Sequence, residues 1–364
     1  MPGLTTLPPF PEDVPTHSLL VVDYHLIKEG DDAEIDKLWD AATKLGFWYL
    51  KNHDADAEVD AMFVMGEETM KLPLDEKMKY ELGDGGNSFG YKAAGTNAID
   101  EKGTPDTTEF LNVSKDDALA YPRKVHRDYP ETVYAHIDDA VKPFMLKSID
   151  ICNILMSTLN NKLGLPKGRL HELHQLEKES HCQSRCIKKP PGKAVSADEL
   201  ALSAHTDYGS LSFLHNRLGG LQVMPPGDTS WYYIKPIPGH AICNVGDALA
   251  IMSGGILRSN VHRVITPPKE QAAYERWSLV YFHRPHDGVV LEALVNDSPM
   301  IADAVARAPN PAVFKTGETA DAWMMRRVRM RRAKNMTGPE AWRQSLGTEH
   351  ENVEAARPVS VSVY

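Results

Sequence analysis

Apolar positions recur with a helical period through the first half of the chain. Over residues 32–45, Ile35, Leu38, Trp39, Ala42 and Leu45 fall on one face, and Gly46 supplies a stop. Residues 47–50, Phe-Trp-Tyr-Leu, are a short apolar run that predicts a buried strand. Val59, Met62, Phe63 and Met70 place a second helical stripe on residues 57–72, with Gly66 inside it. Residues 132–163 predict a third and longer helix that Pro143 kinks or interrupts. Residues 83–103 are glycine-rich and polar and predict a loop.

After Pro190-Pro191-Gly192 the period shortens. Runs at 210–214, 220–224, 231–234, 241–245, 248–252, 261–265 and 277–282 predict a series of short strands separated by turn residues, the pattern of an antiparallel sandwich or barrel. Helix returns over 321–334, where Arg326, Arg327, Arg329, Arg331 and Arg332 predict a solvated basic face. The chain beyond Gly347 predicts a loose tail. No internal repeat is present. The expected architecture is a mainly β core with flanking helices. It divides into a helical region (1–180), a catalytic core (181–295) and a C-terminal extension (296–364).

Composition narrows the function. Of 364 residues, 42% are hydrophobic and 25% charged, ordinary for a chain that buries a sizeable core. A net charge of −10 excludes a general nucleic-acid binder, which carries a basic stripe. Such a charge leaves room for a small anionic ligand, for which one pocket arginine suffices. No apolar run reaches membrane-spanning length, and the proline-rich first sixteen residues lack a signal-peptide pattern. Four cysteines (Cys152, Cys182, Cys186, Cys243) include one CxxxC pair with no second pair to complete a zinc site. They predict buried free thiols in a reducing cytoplasm.

His-x-Asp occurs three times, at His126-Arg127-Asp128, His136-Ile137-Asp138 and His205-Thr206-Asp207. Residues i and i+2 share a direction on an extended chain and diverge on a helix, which disfavours the helical pair at 136. The pair at 126 lies in a charged, proline-flanked connector. His205 and Asp207 precede a β-run, and a later run carries His262. Two histidines and one carboxylate on one side of a metal leave positions open for co-substrate and oxygen, the arrangement suited to iron(II). On its own, His262 reads first as a half-buried strand histidine bonded to backbone. Arg276 and Ser278 share a strand face and form a compact carboxylate clamp. The bland alternative is an internal ion pair of Arg276 with an acid. Tyr208, Phe213 and Phe282 flank this region as pocket-lining or core residues, and His283 and Arg284 follow the anchor strand.

The order His-x-Asp, distal His, Arg-x-Ser is where the chain resembles the isopenicillin N synthase-like group of 2-oxoglutarate- and iron(II)-dependent dioxygenases. The resemblance rests on Ala204-His205-Thr206-Asp207-Tyr208-Gly209, Gly219-Gly220-Leu221-Gln222-Val223, Asn244-Val245-Gly246-Asp247, Val261-His262-Arg263-Val264 and Arg276-Trp277-Ser278. Gly46-Phe47-Trp48-Tyr49-Leu50 with Asn52-His53 resembles the group's opening strand. The C-terminal style resembles fungal members. The resemblance implies a distorted double-stranded β-helix, or jelly roll, with Fe(II) held by His205, Asp207 and His262. It implies 2-oxoglutarate as co-substrate on Arg276 and Ser278, O2 as oxidant, and a small-molecule substrate that is hydroxylated, desaturated or cyclised, plausibly in secondary metabolism.

One departure stands out. Many members carry an Asn-Tyr-Tyr-Pro-Pro-like run where this chain has Ile187-Lys188-Lys189-Pro190-Pro191. The missing tyrosine leaves Lys189 as a replacement partner for the co-substrate's far carboxylate, or both lysines as solvated. Three competing readings remain at this level. One is an iron oxidase of the isopenicillin N synthase type that uses no 2-oxoglutarate. Another is a non-catalytic β-sandwich binding module, and the third is a zinc hydrolase, for which no general base is evident.

Overall fold

The computed structural model describes residues 7–192 and 200–347, so the tail expected beyond Gly347 lies outside the described residues. Twelve strands form two sheets. In chain order they are β1 (Val21–Asp23), β2 (Phe47–Lys51), β3 (Gly90–Lys92), β4 (Glu109–Ser114), β5 (Gln183–Lys189), β6 (Leu200–His205), β7 (Leu211–Asn216), β8 (Leu221–Val223), β9 (Tyr232–Tyr233), β10 (His240–Val245), β11 (His262–Ile265) and β12 (Arg276–His283). The major sheet runs β1-β2-β10-β7-β12-β5-β4-β3 and the minor one β6-β11-β8-β9. Only the β1–β2 pair is parallel among these neighbours. The jelly-roll expectation is borne out.

Alternation along the strands decides which side chains meet which layer. On the outer face of the major sheet, Trp48, Cys186, Phe213, Leu279 and Tyr281 are buried in the main core with the long helix Lys142–Lys162. The inner face turns toward the minor sheet and carries the candidate chemistry.

The helices follow their sequence signals, with corrections. Helix Asp32–Lys44 begins at Asp31, whose carboxylate accepts from the Glu34 amide at 2.8 Å. It ends where Gly46, at φ 77°, lets the chain pass against the Arg258 carbonyl. Helix Asp56–Lys71 lies so close to β5 that a Cβ on Gly66 would stand 2.9 Å from the Cys186 sulfur, so this glycine serves packing. The stretch expected as helix over 132–163 is interrupted just before Pro143 rather than kinked at it. A wide π-type turn over Ile137–Val141 precedes it, and Pro143 occupies the first turn of Lys142–Lys162, where a missing N–H is harmless.

Three expectations fail. Besides the expected β2, the mainly helical first half contributes β1, β3 and β4, which lie toward the two edges of the major sheet, and β3 falls inside the expected loop at 83–103. The run expected as a strand at 248–252 is instead helix Asp247–Met252, buried on every side. The arginine run is a solvated face only in part: Arg329 is exposed, but Arg327 is 0% exposed, Arg331 5% and the following Arg332 4%. Arg327 pairs with buried Asp247, and Arg332 with Glu81 and Asp84. All four cysteines are buried and free, as expected.

Candidate metal centre

His205 ends β6 and His262 begins β11, and the antiparallel register sets them directly opposite one another. Their ring centroids are 4.3 Å apart. Each ring turns Nδ1 toward a backbone carbonyl two residues back, Ser203 at 2.7 Å and Asn260 at 3.1 Å. With Nδ1–H donating there, both Nε2 lone pairs face inward. Asp207, past the end of β6, meets them: its Oδ1 lies 3.9 Å from each Nε2. Its Oδ2 accepts from the Ser212 hydroxyl at 2.6 Å and the Asn244 amide at 2.7 Å, so Oδ1 is the oxygen aimed at the imidazoles. The three ligand atoms lie within 4.8 Å of one another, within reach of a single ion.

The backbone around Asp207 is pinned from below. The amides of Gly246, Asp247 and Ala248 donate to the carbonyls of Ser210, Asp207 and Gly209 at 2.8–3.0 Å. A Cβ on Gly246 would meet the Gly209 carbonyl, which explains glycine in the Asn244-Val245-Gly246-Asp247 run. Electrostatics match the donor set. Burial alone would raise the Asp207 carboxyl. His262 and His205, with the Asn244 and Ser212 hydrogen bonds, outweigh it and hold it down at about 2. Burial, reinforced by His262 and Arg331, drives His205 well below the ordinary histidine range, toward the neutral form a metal requires.

The other two His-x-Asp triplets do not converge. His126 faces Asp116 while Asp128 faces Lys124. His136 faces Glu68 and Asp139.

Arg276 is buried on β12, where its Nε donates to the Gly219 carbonyl at 2.7 Å and its Nη1 to the Ser278 hydroxyl at 2.6 Å. Ser278 in turn donates to Asn216 at 2.7 Å. Among the described residues no carboxylate ion-pairs with Arg276, which removes the internal salt-bridge alternative. Burial lowers its guanidinium to about 10. Lys189 is buried and stands opposite Arg276 in the β5–β12 register. Lys188 points to the other face and pairs with Glu275 at 3.0 Å.

A cavity opens beside the centre, lined by His205, Asp207, Tyr208 and Phe282 among others. Among the described residues Asp207 is the one carboxylate that lines it, and no second group beside it is placed as a hydrolase's general base. Phe213 is corrected. It shares β7 with Ser212 but points the opposite way, into the core between His53 and His215. His283 also faces away, stacked on His174. Sequence reasoning missed Ser212, Asn244, Arg185 and Arg331. Asn244 lies in a quoted motif and Ser212 in the run predicted as a strand at 210–214, so both had a signal; Arg185 and Arg331 had none.

Two family models match the chain: the 2OG-Fe(II) oxygenase superfamily over residues 179–285, and the non-haem dioxygenase in morphine synthesis N-terminal family over residues 19–135. The 2-oxoglutarate-dependent dioxygenase frbH of a Dothideomycetidae species is 30% identical over 290 residues, covering 78% of this chain and 87% of that protein. A 2-oxoglutarate-dependent dioxygenase of Aspergillus fumigatus is 28% identical over 329 residues, covering 82% and 84%. A Neurospora crassa protein crystallised with alpha-KG and thymine aligns with a TM-score of 0.68 at 22% identity, covering 87% of this chain and 98% of that one. That last likeness shows the fold.

Proposed function

Since the chain belongs to the 2OG-Fe(II) oxygenase superfamily, we propose that His205, Asp207 and His262 hold its iron and that Arg276, Ser278 and Lys189 receive the far carboxylate of 2-oxoglutarate. The protein is a 2-oxoglutarate-dependent dioxygenase that uses Fe(II), 2-oxoglutarate and O2. Iron(II), when bound, supplies oxidation of an organic substrate coupled to decarboxylation of 2-oxoglutarate to succinate and CO2. One observation carries the ligand assignment: two inward Nε2 atoms equidistant, at 3.9 Å, from one oxygen of Asp207.

The chain's own groups perform the rest. The Ser203 and Asn260 carbonyls fix both imidazole tautomers. Ser212 and Asn244 occupy the second oxygen of Asp207. The Arg276 guanidinium and the Ser278 hydroxyl present a planar pair of donors to a carboxylate. Phe47, 5.2 Å from the His262 ring, helps keep water from the ligands. Lys189 supplies the cation in place of the tyrosine that relatives use. The Neurospora protein was crystallised with thymine, which supports a small-molecule substrate here. Fungal relatives support a role in secondary metabolism, and no helix among the described residues is long and apolar enough to cross a membrane.

Two measurements test this. Anaerobic iron(II) titration should give one site per chain, lost in Asp207→Ala; retention of the site sinks the ligand assignment. Lys189→Ala should raise the apparent KM for 2-oxoglutarate about tenfold in succinate-release assays. An unchanged KM removes Lys189 from the clamp.

A further inference from the structure

The cavity beside the metal centre carries a second set of cations that the co-substrate clamp does not use. Arg185, Arg284 and Arg331 all line it. Arg185, on β5, is sandwiched by Phe110 and Phe282, with ring centroids 4.2 and 4.9 Å from its guanidinium, and its Nε donates to the Asn112 side-chain carbonyl at 2.7 Å. Arg284 follows β12, donates to the His181 carbonyl and lies 4.7 Å from the Phe282 ring. Arg331 ends the helix Ala320–Arg331 and donates from Nη1 to the Ser203 hydroxyl at 2.8 Å. These partners are all neutral. Among the described residues none of the three forms an ion pair. The Nε and Nη2 of Arg331, which is 5% exposed, have no partner, nor has the Nε of Arg284.

Their neighbours are treated differently. Arg326, Arg327 and Arg332, from the same run, pair with Glu318, Asp247 and Glu81. Acids are therefore available to this helix: Arg332, which also lines the cavity, has Glu81 and Asp84, whereas Arg185, Arg284 and Arg331 have none among the described residues. Buried guanidinium groups without counter-charge are costly, and crowding three together adds repulsion. Burial first, then the charge of Arg284, pushes Arg185 down to about 9. The one carboxylate in the cavity, Asp207, is committed to the metal. Such a site is complete when a ligand brings the negative charge.

2-Oxoglutarate on Arg276 cannot be that ligand. Arg276 and Arg284 are eight residues apart along one extended segment, roughly 26 Å at about 3.3 Å per residue, and Arg185, opposite Val280, is about 13 Å from Arg276 along the strands, so one five-carbon diacid does not span the clamp and the three arginines together.

We infer that Arg185, Arg284 and Arg331 form an anion-binding subsite for the oxidised substrate, and that the substrate carries a carboxylate held there while its carbon frame lies against Phe282, Phe110 and Tyr208 toward the iron. This inference deepens the proposed function and rests on it. Planar guanidinium groups match a carboxylate bidentately, and the flanking rings favour an apolar frame behind it.

The test measures binding, so no substrate need be known. Full-length protein, loaded anaerobically with iron(II) and 2-oxoglutarate, is melted with benzoate or hexanoate, with the neutral benzamide or hexanamide, and with inorganic phosphate. At least one acid should raise the midpoint by about 2–4 °C near saturation, and its amide should not. Arg331→Gln and Arg185→Gln should weaken the acid at least about tenfold. Arg331→Lys, which keeps the charge, should recover part of the loss. The apparent Kd for 2-oxoglutarate should stay within about twofold throughout. The inference is overturned if neither acid acts, if the amides match the acids, if the arginine variants bind as wild type, or if excess 2-oxoglutarate abolishes the shift. An equal or larger shift with phosphate overturns the carboxylate assignment in favour of phosphorylated ligands. If iron-loaded wild type fails to bind 2-oxoglutarate, the proposed function falls instead. The acid titration repeated on metal-free protein then reports on the subsite alone.

Discussion

Asn244 and Ser212 both donate to Oδ2 of Asp207, which leaves Oδ1 as the oxygen facing the imidazoles. Removing one donor should loosen that aim without removing a ligand. Asn244→Ala is expected to weaken iron(II) binding about 10–100-fold, read by anaerobic titration, while the fold survives. His174 tests a different property. Its Nδ1 faces the Leu170 carbonyl at 2.6 Å and its Nε2 the Ser210 hydroxyl at 2.7 Å, and burial pushes it down to about 4. The unfolded chain takes up this proton near pH 6.5 and the folded chain only near 4, so stability is full above 6.5 and is lost as pH falls between those values. That loss amounts to about 2–3 kcal/mol. His174→Gln should flatten the fall in urea midpoint between pH 7 and 4.5 relative to wild type; parallel curves would show that another group carries it. At this scale the ligands are legible because i and i+2 share a direction on extended chain. Arg331 is not, since five arginines in one helical run resemble a solvated face until their partners, up to 251 residues away in sequence, are known.

Elements depend on close approaches that a residue pattern only hints at. Gly66 lets helix Asp56–Lys71 settle on β5 against Cys186. Gly66→Val should therefore destabilise by about 1–3 kcal/mol through overpacking, seen as a lower urea midpoint with an unchanged m-value. An unchanged midpoint would mean that the helix can move away from the sheet. The helices with strong apolar stripes are legible because period 3.6 is unambiguous over thirteen or more residues. The segment Ala-Leu-Ala-Ile-Met at 248–252 is not, because a short run that is apolar on all sides fits a buried strand as well as a buried helix. Its helical state is set by the preceding amides, which donate to the loop that holds Asp207 rather than to a neighbouring strand.

Across the whole molecule, the two sheets and the C-terminal helix are tied by few but deep contacts. Arg327 and Asp247 are both fully buried, and Thr206, between two of the proposed ligands, donates to the same carboxylate at 2.9 Å. Arg327→Ala removes the buried cation of this pair and should cost about 3–5 kcal/mol in chemical unfolding. The double variant Arg327→Met with Asp247→Asn should recover most of it. A loss below about 1 kcal/mol in the single variant would show the pair to be dispensable. The jelly roll itself is legible from the spacing of short runs, whereas β1, β3 and β4 are not. They are three to six residues long, and their place is decided by pairing across the major sheet.

That pairing has a consequence for how the molecule is made. β10, β12 and β5 form the middle of the major sheet, yet their outer neighbours β2 and β4 leave the ribosome long before them. β4 can pair once β5 emerges, but β2 keeps one edge open until β10, which begins at residue 240, follows. A nascent chain has all three proposed iron ligands once residue 262 is out, but Arg331 can line the cavity only once residue 331 has followed. Metal capture can thus precede completion of the substrate chamber during synthesis, and translational pausing between those two points would expose a reactive centre without its roof.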